Sequence, residues 1–324
     1  LILKDLNRRM AEKQLSCEVT ENAKHLIIEQ AYDPVYGARP LKRYVQRHIE
    51  TLIAKTIAPD VIVLPELALC SYMGSTDIWQ YADIDSADTS KWAMAMAEKY
   101  HTYIAVGYLE RNDGNYYNSY LIADNNRVYG IVRKSEGEAF IFKRGDFSHT
   151  IHTPLGNIAV AICYDARRKH FYDMIKDETI SLILFPHGSP SNPKDMENEQ
   201  QTIDYFCMEY QKAFDVPVVY TNSKGKLDYM MGKTGKMMMQ SGFCLNGMSA
   251  IYTSDTVIRS NNSSEILCWS GNITPQVRKK DIDFVGEDVI GGNWLFRKFV
   301  LQPDIRYGIK FYENAKKKNK EIER

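Results

Sequence analysis

The 324-residue sequence has no excess of either charge, no apolar run long enough to span a membrane, no Cys-x-x-Cys pair and no signal-peptide pattern at its start. Its 41 basic side chains are matched by 41 acidic ones, so no global field draws it to nucleic acid or to an anionic membrane. The 6 cysteines, Cys17, Cys70, Cys163, Cys207, Cys244 and Cys268, are scattered. They are expected to be reduced, in a cytoplasmic protein. His149, His152, His170 and His187 have no metal-ligand spacing, and neither a metal nor a cofactor is expected. Gly232-Lys-Thr lacks the first glycine of a phosphate loop, because Leu227 stands there. Met237-Met-Met239 reads as packing, and the sequons within Asn261 to Ser264 carry no weight in the cytoplasm. Position 1 is leucine rather than methionine, which reads as a fragment or a processed chain.

What the sequence does carry is an apolar strand that stops on a reactive group. Gly156-Asn-Ile-Ala-Val-Ala-Ile-Cys163-Tyr-Asp-Ala-Arg167 runs from a glycine turn to a cysteine. A strand end lets a rigid sheet present one side chain to a cleft while the following backbone N–H groups face the same point. A free cysteine more often simply packs, so the upstream residues decide. Val61-Ile-Val-Leu-Pro-Glu66-Leu reads as a buried strand, apolar on both faces, ending on a carboxylate that is expensive to bury without purpose. Lys91 to Tyr100 reads as an amphipathic helix and Tyr103 to Glu110 as a strand. Asn112-Asp-Gly-Asn115 is a hairpin turn, and Tyr117 to Ala123 the returning strand. Val128 to Arg133 then delivers Lys134. A glutamate, a lysine and a cysteine thus each sit just past a strand, within the alternation of a layered α/β domain.

The first segment differs in character. Leu1 to Lys13 has helical apolar spacing, Leu15 to Val19 reads as a short strand, and Thr20 is placed to cap a second helix. Tyr32-Asp-Pro-Val-Tyr-Gly-Ala-Arg39-Pro-Leu-Lys-Arg43 resembles the C-terminal small domain of the Clp/Hsp100 family of AAA+ unfoldases, over residues 1–57. The resemblance implies that Arg39 matches that family's phosphate-sensing arginine. Sensing needs a phosphate loop and a Walker B acid, which the chain lacks, so Arg39 is expected to pack locally. Pro40 to Ile57 is expected to be a helix.

From residue 58 a second resemblance holds. Pro65-Glu66-Leu, Gly107-Tyr with Glu110 and Tyr117-Asn-Ser, Arg133-Lys134, Glu138 with Phe142-x-x-Gly145-Asp146, and Cys163-Tyr-Asp-x-Arg167 occur in an order similar to the nitrilase, or carbon–nitrogen hydrolase, superfamily. Ile183-Leu-Phe-Pro186, Val218 to Asn222, Gly247-x-Ser249 and Gln302 to Tyr307 extend it. It implies an α/β fold, a four-layer αββα sandwich, with the family's opening strand missing and the Pro40 to Ile57 helix packed on the sheet in its place. Three segments are expected: a Clp-like α+β segment (1–57), a hydrolase domain (58–306) and a lysine-rich tail (307–324) that is helical or disordered and, in this family, often crosses a partner subunit. A homodimer or higher homo-oligomer is implied.

The resemblance makes Glu66, Lys134 and Cys163 a catalytic triad, with Glu138, rather than the nearby Glu136, as a second carboxylate. Tyr72, Tyr164, Arg167 and His187 are the substrate-binding candidates. Amide carbon is a poor electrophile, so its hydrolysis needs a thiolate, a site for oxyanion charge and a proton for the leaving amine, which these residue types supply. The expected substrate is a small linear amide or N-carbamoyl compound. Arg167 is followed by Arg168-Lys169-His170-Phe171, a basic cluster that departs from the family's usual run after its arginine and suggests a carboxylate-bearing substrate, or else a solvated basic turn. The alternative from another class is a catalytically silent binding or adaptor module related to Clp unfoldases.

Overall fold

The computed structural model describes residues 2–11, 19–31, 59–260, 266–292 and 294–322. The chain divides into two units, Leu1–Asp60 and Val61–Arg324. In the first, α1 (Ile2–Ala11) buries Leu6 and α2 (Glu21–Ala31) buries Ile27. Thr20 caps α2 as expected: its Oγ1 accepts the Ala23 N–H at 3.3 Å. Residues 15–18 of the expected strand, the Clp-like motif with Arg39 and the Pro40 to Ile57 helix lie outside the described residues.

The second unit is built on two sheets. The first contains β1 (Val61–Val63), β2 (Asp83–Ile84), β3 (Tyr103–Asn112), β4 (Asn115–Ala123) and β5 (Val128–Arg133), in the order β1-β3-β4-β5 with β2 also paired to β3. The second contains β6 (Thr150–Thr153), β7 (Gly156–Val160), β8 (Leu182–His187), β10 (Val218–Asn222), β13 (Ala250–Tyr252) and β14 (Val257–Arg259), in the order β14-β13-β10-β8-β7-β6. A small antiparallel sheet joins β9 (Pro190–Ser191), β11 (Lys224–Lys226) and β12 (Cys244–Asn246).

Strand alternation assigns the layers. Ala105, Tyr120, Ile122 and Val132 from the first sheet meet Ile158, Val160, Leu182 and Leu184 from the second, forming the interior between the sheets. The opposite residues of the same strands, Ile104, Val106, Tyr108 and Leu121, pack against Ala93 and Ala97 of α3 (Ala87–Tyr100). On the other side, Ala159, Ile183, Phe185 and Val218 pack against Phe171 of α4 (Lys169–Ile175) and Phe206, Tyr210 and Phe214 of α5 (Met196–Phe214). Helix, sheet, sheet and helix give the expected αββα sandwich.

The hairpin turn is also as expected: Asn112 pairs with Asn115, and Asp113 and Gly114 both take positive φ, at 48° and 66°. The strand before Glu66 is shorter and less buried than expected, since β1 stops at Val63 and its residues are half-buried. Pro65 has no N–H to continue the ladder, and Leu67 turns left-handed with φ 51°. Among the described residues no strand pairs with the outer edge of β1.

The described part of the tail, as far as Ile322, is helical. α6 (Gly232–Gln240) receives α7 (Gln302–Ile322), whose Asp304 carboxylate accepts the N–H groups of Lys233 and Thr234, both at 2.9 Å. The failed phosphate loop is thus a helix N-terminus already capped by a carboxylate of the same chain. Tyr312 is buried, accepts the Tyr116 N–H at 2.9 Å and sets its ring edge-on to Trp79 at 5.6 Å. Among the described residues no helix is long and apolar enough to cross a membrane.

Candidate active site

Glu66, Lys134 and Cys163 arrive on three different segments. Glu66 follows β1, Lys134 follows β5 directly, and Cys163 opens a 3-10 turn, Cys163–Arg167, just beyond β7. Cys163 has φ 55°, a conformation uncommon for a residue with a side chain, and is partly exposed. The sharp turn lifts the thiol off the line of the strand, where its Sγ lies 3.2 Å from the Ser189 Oγ.

Lys134 is the hub. Its buried Nζ donates to Glu66 Oε1 at 2.8 Å and to Glu138 Oε1 at 3.0 Å. Glu66 is fully buried and heavily bonded, for Asn118 Nδ2 donates to its Oε1 at 2.6 Å and the Gly188 N–H to its Oε2 at 2.5 Å. Tyr72 donates its hydroxyl to Glu138 Oε1 at 3.1 Å. Glu138, not Glu136, therefore meets the lysine. Glu136 instead faces Arg144 at 2.7 Å and Arg168 at 3.2 Å.

The charges set the protonation states. Burial pushes the Cys163 thiol up to about 12, and Glu66 and Glu138 push the same way against the pull of Lys134. The resting sulfur is therefore a thiol at neutral pH. Burial opposes charge on Lys134, yet the Cys163 sulfur once it is a thiolate, and the carboxylates of Glu138 and Glu66, outweigh it and hold the amine well above the usual lysine value. Burial and the Glu138 charge push the Tyr72 hydroxyl well above its ordinary value.

The remaining candidates divide. His187 ends β8 beside Gly188, donates Nδ1–H to the Phe185 carbonyl at 3.0 Å and is held neutral by burial, its value lowered to about 3. Tyr164 turns its hydroxyl to Asp288 at 3.1 Å. Arg167 lies over the Tyr164 ring, and its positive field reaches both His187 and Glu199, while its buried Nε has no hydrogen-bond partner. The rest of the basic run is already paired: Arg168 with Glu136 and with Asp288 at 3.0 Å, and Lys169 with Asp173 at 3.0 Å. It is neither a bare solvated turn nor a free anion site beyond Arg167.

Sequence reasoning gave no role to Asn118, Gly188, Ser189 or Asp165. A polar Asn118 inside the buried β4 was the available signal; Gly188 acts through its backbone, which sequence does not advertise. Glu138 Oε2 and Asn118 Oδ1 are buried without a hydrogen-bond partner. Among the described residues no group of three or more His, Cys, Asp or Glu is placed to hold a metal ion, and the cysteines are free.

Residues 1–64 match the family model of the C-terminal, D2-small domain of ClpB protein, a match that includes β1. The chaperone protein ClpB of Clostridium perfringens is 46% identical over 69 residues, which is 21% of this chain and 8% of that protein. ClpB of Staphylococcus epidermidis is 52% identical over 65 residues, 20% of this chain and 7% of that one. The chain thus spans less than a tenth of either chaperone. The fold is that of the carbon–nitrogen hydrolase from Helicobacter pylori G27, with a TM-score of 0.52 at 17% identity, over 74% of this chain and 82% of that one.

Proposed function

We propose that the second unit hydrolyses a non-peptide C–N bond of a small amide or N-carbamoyl compound through a Cys163 thioester. The observation that carries this reading is the fully buried Lys134 ammonium held between two carboxylates beside a cysteine on a left-handed elbow. A buried ion network is costly as mere scaffolding. Here it supplies the base, the cation and the nucleophile that acyl transfer requires.

Because the thiol is protonated at rest, attack is coupled to proton transfer. Glu66 takes the Sγ proton as sulfur bonds to the carbonyl carbon, and Lys134 with the backbone N–H after Cys163 stabilises the oxyanion. Glu66 then passes that proton to the departing nitrogen, and ammonia or an amine leaves. Glu66 next takes a proton from water, whose oxygen attacks the thioester; the proton returns to sulfur, giving acid and free thiol. Glu138 holds Lys134 in line throughout. Substrate preference is assigned to Arg167, whose unpartnered Nε and positive field suit a carboxylate on the substrate.

The test incubates wild type and Cys163→Ala with paired neutral and anionic amides and N-carbamoyl compounds, following ammonia and covalent adduct by mass. Turnover with an acyl adduct on Cys163, absent in C163A, is expected, with the anionic member of each pair preferred. A preference for neutral members removes Arg167 from the reading. Neither turnover nor adduct across the panel sinks the hydrolase and leaves a binding module.

A further inference from the structure

Lys134 and Cys163 follow strands of different sheets, and among the described residues no backbone ladder joins those sheets. The sandwich between them is held by apolar packing, which is non-directional and does not by itself fix a sulfur against an ammonium. A directional link comes from Asp165, two residues past Cys163 and fully buried. Its Oδ2 accepts the N–H of Ser135 at 2.8 Å and its Oδ1 that of Glu136 at 2.7 Å. Both donors belong to the residues directly after Lys134.

Resting on the hydrolase reading, we propose that Asp165 is a positioning residue that locks the Cys163 turn to the Lys134 loop and so sets the distance between nucleophile and cation. Only a carboxylate satisfies both N–H groups, since an asparagine amide accepts one and confronts the other with its own NH2. The loop is gripped from outside as well, for Arg144 Nε donates to the Ser135 carbonyl at 2.7 Å and Arg168 Nε to Glu136 Oε1 at 3.2 Å. Mere scaffolding would not require both bonds to land beside the lysine.

The link is also open to pH. Burial pushes Asp165 up to about 7, opposed by the two backbone bonds and Lys134 and aided by Glu136. His170 Nε2 stands 4.0 Å from Oδ1, with His149 stacked behind it and Arg168 and Arg144 on Glu136. A proton on Asp165 replaces one acceptor with a donor and breaks one of the two bonds. The coupling is therefore complete only above neutral pH.

The experiment compares Asp165→Asn with wild type, using melting temperature and circular dichroism to control for folding. Two quantities are read: kcat against KM, and the pH dependence of Cys163 alkylation by iodoacetamide, located by peptide mass. The expected result is a kcat lower by about tenfold to a hundredfold with KM little changed, together with a displaced alkylation profile. An unchanged alkylation profile in folded D165N overturns the proposal whatever the turnover. A displaced profile in a protein that hydrolyses no amide keeps the lock and discards the hydrolase. If D165N does not fold, hydrogen exchange at the Ser135 and Glu136 amides is compared in wild type with and without the Cys163 acetamide adduct; altered protection supports the lock, and identical protection refutes it.

Discussion

Gly107 lies directly beneath Glu66. A Cβ placed on it would stand 2.8 Å from the Glu66 Cα and 2.6 Å from the Pro65 carbonyl oxygen. The segment after β1 that carries the glutamate therefore passes β3 at a point where only a glycine fits. Gly107→Ala is expected to lower stability by about 1–3 kcal/mol and to displace Glu66. Urea unfolding measures the first effect and the Cys163 alkylation rate the second; an alanine variant matching wild type in both contradicts the close crossing.

Lys134→Met leaves the buried Glu66 and the half-buried Glu138 facing one another without their cation. The expected loss is about 3–5 kcal/mol. Because Lys134 is held above the usual lysine value, its contribution is fully present below that value and fades only as pH rises through the folded one. The deficit of K134M should thus be constant across neutral pH in denaturant titrations. A deficit that shrinks between pH 6 and about 9 would falsify this.

Acid should weaken the fold. Burial lowers His149 to about 4, His170 to about 3 and His187 to about 3, so the unfolded chain binds protons that the folded one refuses. Stability is present above the ordinary histidine value and is lost as pH falls through the interval below it, by roughly 1.4 kcal/mol per pH unit per histidine at most. Asp165, raised to about 7, acts in the opposite sense and offsets about one of the three.

Of these, His170 is the informative one to replace. Both its ring nitrogens are buried without hydrogen bonds, while the ring stacks with His149 at 5.4 Å and meets Phe147 edge-on at 5.0 Å. His170→Phe keeps the ring and removes the proton site. It should raise stability at pH 5 relative to wild type while changing it little at pH 8; equal shifts at both values argue against a neutral buried histidine.

Tyr312→Phe removes the acceptor from the Tyr116 N–H in a buried setting, with an expected cost of about 1–3 kcal/mol. Trp79 stacks on Tyr116 at 4.3 Å, so its fluorescence should report the loosening. An unaltered emission spectrum and midpoint would place the C-terminal helix outside the core's energetics.

What could be read from the sequence was whatever is local or carried by residue type. The Asn112 to Asn115 turn is dictated by its own side chains, and Glu66, Lys134 and Cys163 advertise themselves by standing past strands. Arg168 looked like part of a basic cluster because charge shows along the chain, whereas its partners Glu136 and Asp288 come from distant segments. The bonds from Asp165 to Ser135 and Glu136, and from Gly188 to Glu66, end on backbone groups that every residue carries. No letter marks them; only the fold brings them together.

The Tyr116 to Tyr312 bond bears on how the chain matures. It joins positions 196 residues apart, and closing so long a loop is slow relative to forming local structure. The two sheets can assemble while synthesis continues, but the wall formed by Trp79, Tyr116 and Phe140 is finished only when α7 has left the ribosome. Until then these aromatic faces are exposed to other chains, and the nascent protein is at its most prone to aggregate.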